Sequence, residues 1–237
     1  MIFGAILAGG TGSRMKIADM PKQFLTLGDK PIIIHTLQKF LLCTELDKVY
    51  VGVHKNWVSH MNDLIEKYIE DREKVRIVAG GEDRNSTIFN IIEDIEDNHG
   101  INDEHIIVTH DAVRPFVTLR ILTENIQAAL KYGACDTVVG ATDTIVESVD
   151  GVSISNIPPR NYMYQGQTPQ SFNISKLKEM FAALSEEEKE SLTDACSIFV
   201  KKGQKVHLVR GEVSNMKITT VNDYEIVQAM IGEVNDD

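Results

Sequence analysis

The chain opens on an apolar run, Ile2 to Leu7, that passes at once into Ala8-Gly9-Gly10-Thr11-Gly12-Ser13-Arg14-Met15 and on to Pro21-Lys22-Gln23. A buried strand that must turn through three glycines constrains the fold more than any other stretch. Glycine lets the backbone turn tightly and approach a ligand with no Cβ in the way. Successive backbone N–H groups in such a turn can form an anion-binding nest, and Arg14 and Lys22 add two cations close by. A loop built this way suits a triphosphate. Two other loop types are excluded by spacing: Met15 stands where a dinucleotide fingerprint needs its third glycine, and no Gly-Lys-Ser/Thr ends a P-loop. A plain glycine-rich turn is the alternative, yet few structural turns need an Arg and a Lys placed so.

Strand and helix patterns alternate from there on. Strands are predicted at Ile2–Leu7, Lys48–Val53, Val75–Ala79 and His105–Thr109. Helices are predicted at Pro31–Leu42, Trp57–Ile69, Asn85–Ile95 and Leu119–Tyr132, the first with proline at a first-turn position. The alternation predicts an α/β fold with a doubly wound, mostly parallel sheet, Rossmann-like, over residues 1–237 as a single domain. Ligands of such sheets bind at the carboxyl ends of the strands, so the loops after Leu7, Ala79 and Thr109 should converge. Beyond Tyr132 the pattern changes. Val138–Ala141, Thr144–Val149 and Val152–Ile157 read as strands, and Asp150-Gly151 as a hairpin turn. Together they predict a protruding β-arm at about 144–160. A lone hairpin is marginal in water, so the arm should pack on something, such as a second subunit. Helices at Ile174–Leu184 and Asp194–Lys202, a strand at Val206–Arg210 and a helix at Asp223–Ile231 close the chain.

With a net charge of −11 the chain does not resemble a protein that wraps nucleic acid. The acidic excess lies on the helical stretches Asp63–Glu73, Glu93–Asp97 and Glu186–Glu190, while the glycine loop is locally basic. Cys43, Cys135 and Cys196 are far apart and form no Cys-x-x-Cys, so buried thiols in a reducing compartment are expected. No apolar run reaches membrane-spanning length and no signal peptide precedes the first strand, so the expected location is cytoplasmic, with no membrane partner.

Three further stretches carry chemistry. In Gly80-Gly81-Glu82-Asp83-Arg84-Asn85-Ser86-Thr87 the glycines let backbone approach a planar base whose edge small polar groups can read; Asn85 or Ser86 could also cap the next helix. In His110-Asp111-Ala112-Val113-Arg114-Pro115 the carboxylate of Asp111 is well placed for Mg²⁺, or for a cap; His110 reads as a packed histidine and Arg114 as a loop brace. Lys217 sits in Ser214-Asn215-Met216-Lys217-Ile218-Thr219-Thr220, and Arg160 follows Pro158-Pro159 at the base of the arm; each is a ligand contact or a surface charge. Thr193-Asp194 reads most simply as a helix cap.

Taken together these stretches resemble one family. Leu7-Ala8-Gly9-Gly10-x-Gly12-x-Arg14-Met15 with Pro21-Lys22-Gln23 is similar to the signature of sugar- and polyol-nucleotide pyrophosphorylases. His110-Asp111-x-x-Arg114-Pro115, Gln167-Thr168-Pro169-Gln170, Thr193-Asp194 and Asn215-x-Lys217-Ile218-Thr219 narrow the resemblance to cytidylyltransferases of the isoprenoid-precursor and ribitol-phosphate type. Within that group the chain looks more like the branch that makes CDP-ribitol from CTP and D-ribitol 5-phosphate for teichoic acid in the cell wall. The other branch acts on 2-C-methyl-D-erythritol 4-phosphate. Its members typically carry Ala-Ala-Gly where this chain has Leu7-Ala8-Gly9-Gly10, and a second acidic residue where Ala195 stands. Ala112 departs from the ribitol pattern, which often has serine there, so any contact at that position runs through backbone.

The resemblance implies roles. Arg14 and Lys22 would stabilise the transition state at the α-phosphate. Leu7, Ala8, Gly9, Gly10, the loop Gly80 to Thr87 (Gly80, Gly81, Glu82, Asp83, Arg84, Asn85, Ser86, Thr87) and Ala112 would hold CTP. Asp111 would hold Mg²⁺, and Arg160 and Lys217 would position the polyol phosphate. It further implies a homodimer in which the arm delivers Arg160 to the partner's site. A nicotinamide oxidoreductase is disfavoured by Met15 and by His54, where the second strand should end in an acidic ribose ligand. A non-catalytic nucleotide-binding module is disfavoured because Arg14, Lys22, Asp111, Arg160 and Lys217 are all present.

Overall fold

The computed structural model describes residues 1–10 and 20–232. Arg14, and with it Thr11 to Met15 of the glycine loop, lies outside the described residues. In chain order the elements are β1 (Ile2–Ala8), β2 (Thr26–Leu27), β3 (Lys30–Pro31), α1 (Ile32–Leu41), β4 (Lys48–Val53), α2 (Val58–Tyr68), β5 (Val75–Ala79), α3 (Arg84–His99), β6 (Ile106–Asp111), α4 (Leu119–Tyr132), β7 (Ala134–Gly140), β8 (Tyr164–Asn173), α5 (Ile174–Ala182), α6 (Glu186–Glu190), α7 (Cys196–Lys201), β9 (His207–Arg210) and α8 (Val221–Gly232).

Seven of these strands form one sheet in the order β5-β4-β1-β6-β8-β7-β9. The pairs β1–β4, β1–β6, β4–β5 and β7–β9 are parallel, whereas β8 runs antiparallel to both β6 and β7. The sheet is therefore mixed but mostly parallel. The central strands β1 and β4 are apolar because both faces of the sheet are covered. One face packs against α1, α2 and α4 through residues such as Leu37, Met61 and Ile126. The other packs against α3, α5 and α7 through Ile91, Leu177 and Phe199. A smaller cluster of Leu27, Ile32, Val113, Ile218 and Val227 seats α8 beside the carboxyl end of β6. From β1 the chain winds outward through β4 to β5 and then returns to the opposite flank of β1 as β6. The order thus reverses between β1 and β6, the crevice where ligands of open α/β sheets bind.

Several boundaries differ from the sequence reading, and two differences are physical. β8 contains Tyr164-Gln165-Gly166-Gln167-Thr168-Pro169-Gln170-Ser171-Phe172-Asn173 and has no apolar period, yet it lies inside the sheet. Its polar side chains find buried partners: Gln170 O accepts from Thr109 Oγ1 and Pro169 O from Thr137 Oγ1. The Thr168–Pro169 peptide is cis, and the ladder with β7 shifts register between Asp136 and Val138. The second difference is the expected hairpin. Between β7 and β8 the two predicted strands make a single bridge, Glu147 with Asn156. The turn exists, since Asp150 Oδ1 accepts from the N–H groups of Val152 and Ser153, each at 2.9 Å. With Val149 and Val152 about nine-tenths exposed, at 87% and 92%, no packing within the chain extends the ladder. All three cysteines are buried and unbridged. Among the described residues no helix is long and apolar enough to cross a membrane.

Candidate active site

The loops after β1, β5 and β6 meet at one cavity of about 430 Å³. Leu7, Ala8, Gly9 and Gly10 form one wall, and Glu82, Asp83, Arg84 and Thr87 a second. Asp111, Ala112 and Val113 form the floor, and Lys22, Gln23, Lys217 and Thr219 close the remaining side. The volume is that of a small-molecule site. Of the sequence-derived set, Gly80, Gly81, Asn85 and Ser86 stand behind this wall and shape it. The Gly80 N–H donates to Val53 O at 2.7 Å, and the Gly81 N–H to Thr87 Oγ1 at 3.1 Å. A Cβ on Gly81 would fall 2.4 Å from Ser86 Oγ, so only glycine fits against the start of α3. The cap of α3 is Asp83, not Asn85 or Ser86 alone: Asp83 accepts from the Ser86 N–H while Ser86 Oγ accepts from the Asp83 N–H.

Asp111 is the electrostatic centre. Lys217 Nζ lies 2.9 Å from Oδ2, Arg84 Nε 3.4 Å from Oδ1 and Arg114 Nε 3.6 Å from Oδ2. Burial pushes its carboxyl up, but Arg84, Lys217 and Arg114 outweigh burial and hold it well below the usual carboxylate range. Asp111 is thus an ionised acid sitting among three cations drawn from α3, the loop after β6 and the segment before α8. Lys217 is half-exposed, its side chain 44% accessible, but it lines the cavity and pairs with Asp111. Arg114 does brace the loop, donating Nη1 to Asn215 O at 2.7 Å.

The cradle around Asp111 joins the packed histidine and the loop brace of the sequence reading, His110 and Arg114, to Thr168, Asn215 and Gln23, to which that reading gave no role. The Asp111 N–H donates to Thr168 Oγ1, and His110 contacts Thr168 Oγ1 through Nδ1 at 2.9 Å and Arg114 O through Nε2 at 3.1 Å. His110 is fully buried, and desolvation pulls its pKa down to about 4, so the neutral ring bridges β6, β8 and the Arg114 turn. Asn215 donates Nδ2 to Thr168 O, tying the Lys217 segment to β8. Gln23, 3% exposed, donates Nε2 to Ala8 O and Gly10 O and so fixes the first loop. Both Gln23 and Thr168 lay inside the quoted motifs, which was the available signal. Ala112 uses its N–H on Leu7 O and its carbonyl on Thr36 Oγ1.

Arg160 is elsewhere. It begins a short 3-10 turn, Arg160–Tyr162, and donates Nη1 to Thr142 O at the base of the extended segment, lining a separate surface hollow. Within one chain it does not meet Lys217 or Asp111. Asp136, Asp194 and Cys196 form another group with possible metal-ligand atoms, and Asp111 is not part of it.

A family model described as 2-C-methyl-D-erythritol 4-phosphate cytidylyltransferase matches residues 2–233. Among solved structures, 4-diphosphocytidyl-2C-methyl-D-erythritol synthase from Anaerococcus prevotii is 27% identical, with a TM-score of 0.80 over 98% of this chain and 96% of that one. The Francisella tularensis cytidylyltransferase of the same description is 24% identical, with a TM-score of 0.78 over 96% and 98%. The Thermus thermophilus enzyme is 23% identical, with a TM-score of 0.73 over 97% and 98%. The last two speak for the fold.

Proposed function

The chain belongs to the IspD family of cytidylyltransferases, and from that premise we propose that it joins CTP to D-ribitol 5-phosphate, giving CDP-ribitol and pyrophosphate for teichoic acid assembly in the cytoplasm. The observation that carries the reading is the meeting of Lys217, Arg84 and Arg114 on Asp111 where three strand-end loops converge. The polyol branch is supported by Leu7-Ala8-Gly9-Gly10 in the first loop and by Ala195 after Thr193-Asp194. The second reading, 2-C-methyl-D-erythritol 4-phosphate as acceptor, is favoured by the description of the matching family model.

In this reaction a phosphate oxygen of the acceptor attacks the α-phosphorus of CTP in line. The new P–O bond forms as the bond to the β-phosphate breaks, and pyrophosphate leaves. The nucleophile is already an anion at neutral pH, so the site needs no general base. The obstacle is repulsion between two anions plus charge building on the α-phosphoryl oxygens. Preorganised cations answer it: Lys22 and Arg14 at the α-phosphate, and Lys217 at the acceptor phosphate. Asp111 fits Mg²⁺ on donor chemistry. It is an ionised carboxylate on the cavity floor, and Mg²⁺ takes one or two carboxylates and fills its shell with phosphates and water. When bound, the ion would neutralise phosphoryl charge. Asp111 also keeps Lys217 and Arg84 aimed into the cavity. The wall from Glu82 to Thr87 would read the cytosine edge, and Ala8 to Gly10 would follow the triphosphate. The arm would pair two chains and deliver Arg160 to the partner's acceptor phosphate, which accounts for its distance from Lys217 within one chain.

The test is pyrophosphate release from CTP and Mg²⁺ with either polyol phosphate in parallel assays. Faster release with ribitol 5-phosphate is expected. Preference for the methylerythritol phosphate selects the second reading, and release with neither rejects both. CTP should be preferred to UTP, because a site that hydrogen-bonds an amino edge rejects a base lacking it sharply, and to ATP, whose larger two-ring base would have to fit the same wall.

A further inference from the structure

Lys22 and Gln23 close one side of the cavity from a 3-10 turn of three residues, Lys22–Phe24, that has no side-chain cap. So short a turn does not hold itself. At three residues per turn its side chains leave in three directions. Lys22 lines the cavity, and Gln23 lies back against the first loop, donating Nε2 to Ala8 O at 2.8 Å and to Gly10 O at 3.0 Å. Phe24, 3% exposed, packs instead on the start of α2 and the turn before it. Its ring lies 5.1 Å from that of Trp57, tilted by 31°, and 4.9 Å from that of His60, edge-on at 85°. Trp57 and His60 also meet edge-on, 5.5 Å apart at 76°. All three separations fall where aromatic pairs attract. The far side of this contact is built locally. His54 follows β4 and accepts the Asn56 N–H on Nδ1 at 3.3 Å, while its carbonyl accepts the Trp57 N–H at 2.8 Å. These bonds close the 3-10 turn Lys55–Trp57 that feeds α2. Among the described residues that line the cavity none comes from this stretch. The loop after β4 therefore reaches the cavity at second hand, through Phe24.

We propose that Trp57, backed by His60, is a positioning residue of the nucleotide site: by clamping Phe24 it fixes the Lys22–Phe24 turn, and so sets both where the Lys22 ammonium points and how the glycine loop is held. The inference rests on the assignment of the cavity to CTP and of Lys22 to the α-phosphate. Two properties of the contact suit this role. Phe24 belongs to the core between the sheet and α1, α2 and α4, so the clamp is anchored to the body of the fold. A large ring also gives contact area at little cost in side-chain entropy, whereas a lysine on its flexible stem is aimed only as well as the backbone that carries it. Such aim matters, because a misplacement of about 1 Å by a change away from the chemistry can cost about 10²-fold in rate. The coupling runs both ways. Whatever factor the contact contributes to nucleotide binding, bound nucleotide returns to the contact. Trp57 is the single tryptophan of the chain, so tryptophan emission reports on this contact alone.

Two measurements on the full chain test this. The first compares variants that thermal melting shows to be folded at the assay temperature. Trp57→Ala should weaken CTP binding by about fivefold in titration calorimetry and lower kcat by about tenfold, and Trp57→Phe should restore most of both. In a Lys22→Ala background, Trp57→Ala should lower kcat by less than about twofold more, since the group it aims is gone. Wild-type kcat and CTP affinity in folded Trp57→Ala overturn the proposal and leave the cytidylyltransferase reading intact. Equal kcat losses with and without Lys22 also overturn it, since they mark a general loosening of the fold. The second measurement needs neither a variant nor turnover. CTP with Mg²⁺ should change the Trp57 emission of the wild-type chain saturably, and cytidine, which brings no phosphate to Lys22, should change it less. An emission unmoved at CTP concentrations that calorimetry shows to be saturating overturns the proposal. An emission that moves with CTP in a chain that releases no pyrophosphate with either polyol phosphate upholds the positioning and counts against the reaction instead. No CTP binding at all rejects the inference together with the reading it rests on.

Discussion

The cavity at the carboxyl ends of β1, β5 and β6 and the extended segment between β7 and β8 are both built from loops, and the chain treats them in opposite ways. In the cavity Lys217, Arg84 and Arg114 gather on the Asp111 carboxylate, and Thr168, His110 and Asn215 hold the backbone that carries them. In the segment, Asp150 is satisfied only by its own neighbours, Ser148, Val152 and Ser153, while Val149, Val152, Ile154 and Ile157 stay in solvent. Polar groups can be completed inside one chain because a partner needs only to reach hydrogen-bond distance. An apolar ribbon needs area to cover it, and this chain offers none there. The cavity is therefore organised within one chain, whereas among the described residues nothing covers the segment.

The largest effect should come from removing cations on the cavity side. Lys22→Ala and Lys217→Ala should each lower turnover by about 10²–10³, the typical loss of one preorganised donor, with Arg14→Ala in the same range. Pyrophosphate release measures it, and wild-type-like rates in these variants would break the assigned roles.

A second effect tests how firmly the cavity is held. His110 in the unfolded chain takes up a proton near pH 6.5, but in the fold only near 4. The unfolded state therefore binds more protons across that window. The contribution of His110 to stability, present above pH 6.5, should fall by about 3 kcal/mol as pH drops towards 4, read by urea denaturation as the difference between wild type and His110→Asn, which removes the opposite trend of the raised Asp136 carboxyl. A flat profile would mean that the neutral ring does not lock β6 to β8.

Mixing inactive variants sharpens the contrast itself. If Arg160 serves the partner's cavity, Arg160→Ala and Lys217→Ala chains combined should recover about a quarter of wild-type activity, since half of random dimers carry one intact site. No recovery would confine Arg160 to its own chain. The smallest effect on the fold should come from Val149→Asp with Val152→Asp. Exposed positions shift stability by only about 0.5 kcal/mol, yet if the arm pairs two chains as proposed, the pair of substitutions should dissociate that dimer in light scattering. A dimer that survives would place the contact elsewhere.

Much of the architecture was legible residue by residue. β1, β4 and β5 are short apolar runs bounded by turn residues, and the helices α1, α2 and α4 carry apolar stripes, so their positions follow from periodicity alone. β8 was illegible because its residues are chosen for partners across the sheet and beneath the site, not for an apolar face. The hairpin was over-read for the converse reason. Val149, Val152 and Ile154 alternate with polar residues as a strand should, but alternation fixes a ladder only where one face is buried. The site shows the same division. The glycine loop, Lys22, Asp111 and Lys217 announced themselves by type and spacing, whereas Gln23 and Asn215 stood in the quoted motifs without their bracing contacts being legible.

Residue order by itself determined where the chain turns, which stretches are strands or helices, and which cations and acids stand at strand ends, because these depend on neighbours a few positions away. Only the tertiary structure decided that Arg84, Arg114 and Lys217 share one carboxylate at residue 111, and that Arg160 does not join them. Those meetings depend on a strand order that doubles back between β1 and β6. The Arg84 and Lys217 pairings join Asp111 to segments 27 and more than a hundred residues away, beyond the reach of a local pattern, whereas Arg114 stands in the same loop as Asp111.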